Sequence, residues 1–359
     1  MKKPERTLII LSPGFPENEA DTTCLPLQQN LVRSIKENYP QINIIVLAFQ
    51  YPYFKKSYTW FDTTVISFDG RNRGGILRLL LRRQIFSELN KINRANEIIG
   101  LLSFWCGECA AIGQAFANKH KLKHFCWILG QDAKSDNKYP GRIVIKPGNL
   151  VALSDFLQGE FERNHGLKPR YVMPPGIEPR QFGPFPLQKD IDIVAVGSLI
   201  PLKQYDVFIE LVAELKTKFP QLKAALIGNG PEKEKLAALI SKLKLEDTIL
   251  LTGELPYLET LKWMQRSKVF LHTSSYEGFG VVMIEALYAG CHVLSFCRPN
   301  TKEIDQWHIV ASAKEMTEKA ATILQKQGVK YNSVTFRNIS QVAGEMMELF
   351  ALNGAAMDS

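Results

Sequence analysis

The chain contains few cysteines and lacks a long hydrophobic run. Its six cysteines among 359 residues are too few for a disulfide scaffold in a chain of this length, which favours a reducing compartment. We find no apolar run long enough to span a bilayer. The first residues, "MKKPERTLII", lead directly into a strand-like run without the cleavage pattern of a signal peptide. These absences predict a cytoplasmic protein.

The sequence also lacks the usual patterns of nucleic-acid and metal binding. Its formal net charge is +8, but no recognised nucleic-acid motif accompanies this charge and few aromatic residues stand among the basic ones. No cluster of carboxylates or histidines has the spacing of a metal site. Asp190 and Asp192 begin a strand-like run, where they are interpreted as a solvated strand edge. We therefore expect neither a nucleic-acid partner nor a bound metal.

The basic excess lies in the first half of the chain and is densest in "RNRGGILRLLLRRQIF", residues 71–86. Leucine and isoleucine alternate there with five arginines, namely Arg71, Arg73, Arg78, Arg82 and Arg83. A basic, leucine-rich amphipathic helix suits an anionic membrane surface or an anionic partner. A solvated helix whose leucines face the core is an equally acceptable interpretation.

Strand-like and helix-like segments alternate along the whole chain, which predicts an α/β protein with parallel sheets. The alternation stops at "MPPGIEPRQFGPFPLQ", residues 173–188, where five prolines exclude regular structure. This stretch is interpreted as a linker between two Rossmann-like, doubly wound domains that face each other across a cleft. Ligands of such sheets bind outside the carboxyl ends of the strands.

The stretch "SSYEGFGVVMIEALYAG", residues 274–290, reads as a glycine turn and a buried helix after a buried strand. Gly278 and Gly280 allow the backbone to approach a ligand closely, and the first helical N–H groups favour an anion. Glu277 precedes the turn and Glu285 lies within the otherwise apolar helix, where a charge is costly unless it has a function. Carboxylates accept hydrogen bonds from hydroxyls, so the ligand expected here is a nucleotide sugar. The alternative is two acidic residues without a ligand, one favoured by the helix dipole and one solvated.

Four segments in this order and spacing extend the pattern: "VGSLIPLKQYDVFIELVAEL", "ALIGNGPEKEKLAALI", "ILLTGEL" and "SSYEGFGVVMIEALYAGCHVLSF". Together they resemble the donor-binding domain of the family 4 retaining glycosyltransferases, also called glycosyl transferases group 1, which have the GT-B fold. The first half resembles the family more weakly, through "LSPGFPENEADTTCLPLQQNLV", "VALSDF" and "PPGIEPRQF". The resemblance implies an acceptor-side domain at residues 1–183, completed by a C-terminal helix at 334–353. It also implies a nucleotide-sugar-binding domain at 187–333.

The resemblance assigns roles to individual residues. Glu285 would hold the ribose hydroxyls of the donor, and Glu277 the hydroxyls of the transferred sugar. Lys203 would bind the diphosphate and offset charge on the leaving phosphate; without that role it would be an ordinary lysine in a first helical turn. Glu277 and Lys203 are thus the candidate catalytic residues. The further donor-binding candidates are Gly197, Ser198, Gly228, Gly253, Glu254, Leu255, Gly278, Phe279 and Gly280.

The sequence departs from the family pattern at three places. Ser198 stands where the family often has an arginine, and "PENEAD" replaces a glycine pair in the first loop. The family's active-site histidine is replaced by Leu129 in "LGQD", so the candidate sugar contacts there are Leu129, Gly130, Gln131 and Asp132. Leucine cannot bond a C6 hydroxyl of the sugar, so we expect either a donor that lacks this hydroxyl or a hexose donor contacted by Gln131.

We therefore predict a retaining glycosyltransferase, of the hexosyltransferase class, in cell-envelope polysaccharide or glycolipid synthesis. Its substrates would be a nucleotide-diphosphate sugar and a glycan or lipid-linked acceptor, without a cofactor or a required metal. The expected location is the cytoplasm, with peripheral binding to the inner face of the membrane. A degenerate nucleotide-sugar-binding or scaffold protein is the alternative, and a nucleotide-sugar epimerase of the same fold is a third reading. Cys106 and Cys109 could form a redox pair at a helix start, but buried structural cysteines are favoured.

Overall fold

The computed structural model describes residues 5–300 and 302–351. The chain divides into two compact units, Met1–Pro175 with Ile339–Ser359, and Gly176–Asn338. Within the described residues, each unit has one β-sheet packed against helices. The two units are called the N-terminal and the C-terminal unit below.

The N-terminal unit has an eight-stranded sheet among the described residues, in the strand order β3-β4-β2-β1-β5-β6-β7-β8. Its strands are β1 (Arg6–Gly14), β2 (Asn43–Tyr51), β3 (Lys55–Trp60), β4 (Thr63–Phe68), β5 (Glu97–Phe104), β6 (His124–Ile128), β7 (Leu150–Ala152) and β8 (Tyr171–Val172). Its helices are α1 (Pro26–Asn38), α2 (Gly75–Ala95), α3 (Glu108–His120), α4 (Asp155–His165) and, from the end of the chain, α10 (Ile339–Ala351).

The C-terminal unit has a six-stranded sheet among the described residues, in the order β11-β10-β9-β12-β13-β14, and every strand pair in it is parallel. The strands are β9 (Ile191–Val196), β10 (Ala224–Ile227), β11 (Ile249–Gly253), β12 (Ser267–His272), β13 (His292–Ser295) and β14 (Trp307–Ile309). The helices are α5 (Tyr205–Lys218), α6 (Lys233–Lys242), α7 (Tyr257–Arg266), α8 (Val281–Tyr288) and α9 (Ala313–Gln325).

The apolar runs of the sequence become the central parallel strands. In β1, six consecutive residues from Thr7 to Ser12 are buried, because helices and neighbouring strands cover both faces of the strand. Sequence patterning does not identify β4, which lies inside its sheet, or three strands at sheet edges. β3 ("KKSYTW") pairs antiparallel with β4 and is mostly exposed, and β8 and β14 have only two and three residues. Such segments carry too little apolar periodicity to be recognised.

The division between the units lies at Pro175 and Gly176, which is within the linker stretch 173–188 and before the expected domain bounds of 183 and 187. The intervening segment packs on the C-terminal unit. The ring of Phe182 lies 4.6 Å from that of Tyr288, and the Gln265 side-chain amide donates to the Gly183 carbonyl at 2.8 Å. Prolines exclude helix and strand here, but they do not prevent the segment from packing.

The last described helix, α10, returns the chain to the N-terminal unit, where it packs against α1. The Lys123 ammonium donates to the carbonyls of Leu349 and Phe350 at 3.1 and 3.0 Å. The ring of Phe350 lies over Gly100 of β5, where an added Cβ would stand 2.4 Å from the ring. The helix was expected at 334–353; it begins at Ile339, and residues 352 and 353 lie outside the described residues.

We predict that Phe350→Ala lowers the free energy of unfolding of the N-terminal unit by about 3 kcal/mol, because the ring is buried and its removal leaves a cavity. Denaturant unfolding followed by fluorescence measures this change. Val144→Ala is the control, since Val144 is exposed and should change the value by less than about 0.5 kcal/mol. Equal effects of the two substitutions would contradict the packing of α10 on this unit.

Candidate functional site

The candidate site lies at the carboxyl edge of the C-terminal sheet, where the strand order reverses. From β9 the chain adds β10 and β11 on one side and then crosses to β12 on the other side. The loops that follow β9 and β12 therefore diverge at one point, which is the usual ligand site of an open parallel sheet. Lys203 follows β9 and Glu277 follows β12, so two residues far apart in sequence meet at this point.

Lys203 and Glu277 form an ion pair, with 2.5 Å between Nζ and Oε2. Each side chain is only 19% exposed, so water screens the pair less than it would at the surface. The two loops are also joined by hydrogen bonds. The Thr273 hydroxyl donates to the Lys203 carbonyl at 2.8 Å, and the Ser275 N–H donates to the Leu202 carbonyl at 3.1 Å. The pair is thus fixed by backbone contacts as well as by charge.

A histidine that the sequence analysis missed completes this cluster. His272, the last residue of β12, has its Nε2 3.2 Å from Oε2 of Glu277. Burial alone would raise the pKa of Glu277, but the contacts with His272 and Lys203 outweigh it and lower the pKa to about 2. Glu277 is therefore a carboxylate at neutral pH, able to accept hydrogen bonds from ligand hydroxyls. The apolar run in "KVFLHTS" indicates a buried strand but gives no sign that this histidine reaches the site.

Glu285 is buried in α8, at 7% exposure. Its Oε1 accepts a hydrogen bond of 2.7 Å from the hydroxyl of Tyr257, the first residue of α7. Burial raises the pKa of Glu285 to about 7, and the Tyr257 hydrogen bond partly opposes this shift. A group held this far from its ordinary pKa in a sheet-edge site is a candidate for ligand contact. The sequence predicted Glu285 but not Tyr257, whose pairing depends on how α7 packs against α8.

The turn between Glu277 and Glu285 contains Gly278, Phe279 and Gly280, and their surroundings differ. Gly280 has φ +75°, and an added Cβ would stand 2.2 Å from Cε of Met283 and 3.0 Å from Cγ of Glu277. Glycine is thus required there to let the chain enter α8 and to leave room for the Glu277 side chain. Gly278 is buried. Phe279 is fully buried, with its ring 5.3 Å from Phe336, so only its backbone is available to a ligand.

The other candidates of the C-terminal unit lie at the ends of the neighbouring strands. Gly197, Gly228 and Gly253 follow or end β9, β10 and β11, and the Gly197 carbonyl would be 1.9 Å from a Cβ on Gly228. The requirement for glycine at 228 therefore comes from the close approach of two loops. Ser198 and Glu254 are exposed, and Leu255 is half-buried. Their backbones border the same sheet edge.

The "LGQD" segment follows β6 of the N-terminal unit. Asp132 is buried, and its carboxylate accepts hydrogen bonds from the backbone N–H groups of Cys106 at 2.8 Å and of Gly130 at 2.8 Å. Burial raises the pKa of Asp132 to about 6, against the effect of these donors. Asp132 thus holds its own loop together, and its contact with the sugar stays a prediction. Leu129 is half-buried and Gln131 is exposed.

Among the described residues, no group of three or more histidine, cysteine or acidic side chains could hold a metal ion. Cys106 and Cys109 are buried free thiols. Burial raises the pKa of Cys109, although it lies in the first turn of α3, whereas a redox-active thiol has a lowered pKa. Asp190 and Asp192 form ion pairs with Arg266 and Lys268, at 2.9 and 2.8 Å.

The five arginines of residues 71–83 fall into two groups: three pair with acidic side chains and two are exposed. Arg78 and Arg82 of α2 both donate to the carboxylate of Glu108, at 2.9 and 2.7 Å, and this carboxylate is largely buried. Arg71 pairs with Asp69, whereas Arg73 and Arg83 are exposed. Three of the five arginines, Arg71, Arg78 and Arg82, thus pair with acidic side chains of the same unit. Binding of the segment to an anionic partner stays a prediction.

Comparison with known proteins shows which family the C-terminal unit resembles. Residues 178–327 match the model of the family "Glycosyl transferases group 1". An N-acetylgalactosamine-N,N'-diacetylbacillosaminyl-diphospho-undecaprenol 4-alpha-N-acetylgalactosaminyltransferase of Campylobacter jejuni is 33% identical over 164 residues, 44% of this chain and 42% of the relative. One human phosphatidylinositol N-acetylglucosaminyltransferase chain is 30% identical over 34% of this chain and 26% of the relative. The chain thus spans less than half the length of these two relatives.

Two solved structures resemble the whole chain. A crystal structure of Anabaena HepE with UDP and glucose has a TM-score of 0.71 at 14% identity, covering 98% of this chain and all of that protein. A sucrose-phosphate synthase of Thermosynechococcus elongatus has a TM-score of 0.70 at 14% identity, covering 96% and 98%. At this identity the likeness defines the fold, which is GT-B.

The fold is GT-B, and the candidate site lies at the carboxyl edge of the C-terminal sheet. Residues 178–327, less than half of the chain, resemble the family glycosyl transferases group 1. The predicted resemblance to this family and the predicted fold class are confirmed, whereas the retaining mechanism and the role of each site residue stay predictions.

We predict that Glu285→Gln stabilises the C-terminal unit at high pH. Because the folded state binds the Glu285 proton more tightly than the unfolded state, the free energy of unfolding falls as pH rises from about 4.5 through 7. The glutamine removes this loss, which should raise the free energy of unfolding by about 3 kcal/mol at pH 8 and by little at pH 4.5. Denaturant unfolding at both pH values measures the difference.

The exposed Glu254 supplies the matched control, since Glu254→Gln should leave stability unchanged at both pH values. A gain for Glu285→Gln that is the same at pH 4.5 and pH 8 would contradict a raised pKa of Glu285.

Proposed function

We propose that the protein is a retaining glycosyltransferase that moves a sugar from a nucleotide-diphosphate sugar to a lipid-linked glycan acceptor. The observation that carries the proposal is the half-buried Lys203–Glu277 pair at the switch point of the C-terminal sheet. It places a cation and a hydroxyl acceptor side by side where parallel sheets bind ligands. A diphosphate with a sugar on one side requires these two groups.

Each residue has a separate role in this proposal. The Lys203 ammonium and the N–H groups at the start of α8 bind the diphosphate and offset the charge that builds on the leaving phosphate. Glu277 accepts hydrogen bonds from the sugar hydroxyls, and Glu285 accepts them from the ribose. Glu285 has to lose its proton for this role, so nucleotide affinity should rise with pH around 7.

The proposal of retention and of metal independence rests on two supports. The family is predicted from the resemblance to be retaining, and the name of the C. jejuni relative specifies an α linkage. Lys203 supplies the positive charge that a divalent metal supplies elsewhere in phosphate chemistry.

A lipid-linked acceptor is favoured by the names of both relatives, which specify diphospho-undecaprenol and phosphatidylinositol. Such acceptors lie at a membrane, and cell-envelope polysaccharide or glycolipid synthesis is the process we propose. A nucleotide-sugar-binding protein without turnover is the second candidate, since Leu129 stands at the place of the family's histidine. Leu129 leaves two donors open: a sugar without the C6 hydroxyl, or a hexose contacted by Gln131. The names of the relatives support a hexose derivative, an N-acetylhexosamine.

The first turns of α2 supply a membrane-facing surface in this proposal. The α2 apolar face, defined as Ile76, Leu77, Leu79 and Leu80, is exposed, with Ile76 at 72%. Arg73 and Arg83 are exposed at its two ends. Apolar side chains flanked by cations suit a bilayer with anionic headgroups. Among the described residues, no helix is long and apolar enough to cross a membrane.

We predict that Glu277→Gln and Lys203→Met each lower kcat/KM for transfer by about ten- to a hundredfold, as expected for the loss of one charged hydrogen bond worth roughly 1.5 to 3 kcal/mol. Donors are first selected by thermal shift from UDP, GDP, ADP and their sugars, and transfer to an undecaprenyl-diphosphate-linked glycan is then followed. NMR of the product gives the anomeric configuration, which should match that of the donor, and the rate should persist in EDTA.

Asp190→Asn is the matched control, because the Asp190–Arg266 ion pair joins the opposite ends of the same two strands, β9 and β12. It should leave kcat/KM within threefold of the parent. An inverted product or a rate abolished by EDTA would count against the mechanism, and binding without transfer would favour the binding protein.

We predict that the protein sediments with vesicles containing phosphatidylglycerol and that salt weakens this binding, since each basic residue near the surface contributes about 1 kcal/mol. Leu77→Ser combined with Leu80→Ser should lower binding at all salt concentrations, and Arg73→Gln with Arg83→Gln should remove most of the salt dependence. Leu243→Ser, an exposed leucine of the C-terminal unit, is the control. Equal binding of the parent to neutral and anionic vesicles would overturn the proposal.

A further inference from the structure

His272 is a buried ionisable side chain that has no role in the proposed function described above. It ends β12 with 4% exposure, and the register of this strand places it opposite Ser295 of β13. Among the described residues, neither ring nitrogen makes a hydrogen bond of regular geometry. Oε2 of Glu277 lies 3.2 Å from Nε2 of the ring.

The surroundings of the ring fix its charge. Burial lowers the pKa of His272, the Lys203 ammonium lowers it further, and the Glu277 carboxylate opposes both effects. The imidazole is therefore neutral at physiological pH and carries one N–H. A carboxylate next to Nε2 favours the tautomer with the proton on that nitrogen, because a carboxylate only accepts hydrogen bonds. His272 thus presents a donor to Glu277 without adding a second cation beside Lys203.

Both contacts of Glu277 fall on the same oxygen. Lys203 and His272 approach Oε2, which leaves Oε1 for a ligand hydroxyl. A donor diphosphate would compete with Glu277 for the Lys203 ammonium, since it carries more negative charge. Once Lys203 turns to the phosphates, His272 is the described side chain that still holds Oε2.

We propose that His272 is a positioning residue that keeps the Glu277 carboxylate oriented toward the transferred sugar while Lys203 binds the diphosphate. This inference rests on the proposed function. The His272–Glu277 pair would recognise the sugar of the donor, and Lys203 would recognise its diphosphate. The alternative is a histidine that only fills space under the sheet edge.

The proposal predicts a loss confined to the sugar part of the donor. His272→Leu should weaken binding of UDP-N-acetylglucosamine by about tenfold and lower kcat, while the Kd of UDP stays within twofold. His272→Gln should restore sugar-dependent binding to within threefold of the parent, because the glutamine amide nitrogen reaches the position of Nε2. Titration calorimetry with both ligands and steady-state kinetics measure these effects. If the donor screen selects another nucleotide, its diphosphate and sugar replace the UDP pair.

Two further variants make the test specific. In a Glu277→Gln background, His272→Leu should have little additional effect, because the interaction has already been weakened. His292→Leu is the control; His292 begins β13, at the other edge of the same sheet, and its loss should change neither Kd. If His272→Leu does not fold, His272→Met replaces it, since methionine has a similar volume and no N–H.

The outcomes separate this inference from the function on which it rests. A parent that binds no nucleotide sugar would contradict the proposed function. A parent that transfers sugar while His272→Leu and His272→Met equal it would overturn the inference alone. Equal losses of UDP and UDP-sugar affinity, or failure of His272→Gln to restore binding, would assign His272 a merely structural role and also overturn it.

Discussion

The Glu277 carboxylate is the group on which the arrangement of the carboxyl edge depends. It is largely withdrawn from water and would be costly there without partners. Lys203 and His272 supply those partners from the ends of two different strands. Because both strands belong to one parallel sheet, the pair joins the two loops at the point where the topology reverses. Gly280 follows from the same constraint, since a Cβ there would meet the Glu277 side chain.

Glu285 differs from Glu277, because its pKa is raised whereas that of Glu277 is lowered. Glu285 is buried and accepts a hydrogen bond from the hydroxyl of Tyr257. Burial outweighs this hydrogen bond and raises the pKa of Glu285 to about 7. An apolar helix that carries such a carboxyl is less stable at neutral pH than one that carries an amide. Active sites commonly retain groups that lower stability when the ligand needs them. The proposed ribose contact would give this carboxyl its missing hydrogen-bond donors.

The N-terminal unit uses a buried carboxylate differently. Glu108, at the start of α3, receives both Arg78 and Arg82, and the hydroxyl of Tyr139 accepts from both guanidinium groups. This network joins the first half of α2 to the start of α3. The later turns of α2 bury an apolar stripe, Leu81, Ile85, Leu89 and Ile92, whereas the α2 apolar face of the first turns stays exposed.

The sequence by itself determined the α/β class, most of the parallel strands, the resemblance to the glycosyl transferases group 1 and the two carboxylates of residues 274–290. These features depend on local periodicity, on glycine and proline, and on spacing within one continuous segment. The tertiary structure alone decided which partners those carboxylates have. His272 and Tyr257 carry no sequence signal, because their roles arise when strand and helix ends distant in sequence are brought together.

Tertiary structure also decided which acidic group pairs with part of the basic segment, since Arg78 and Arg82 face Glu108, 30 and 26 residues further along the chain. It likewise decided which backbone N–H groups donate to Asp132, namely those of Cys106 and Gly130. In each case the sequence specified the chemical group correctly. The direction in which a charged side chain points is set by the nearest opposite charge or N–H in space, and only the packed chain defines that neighbour.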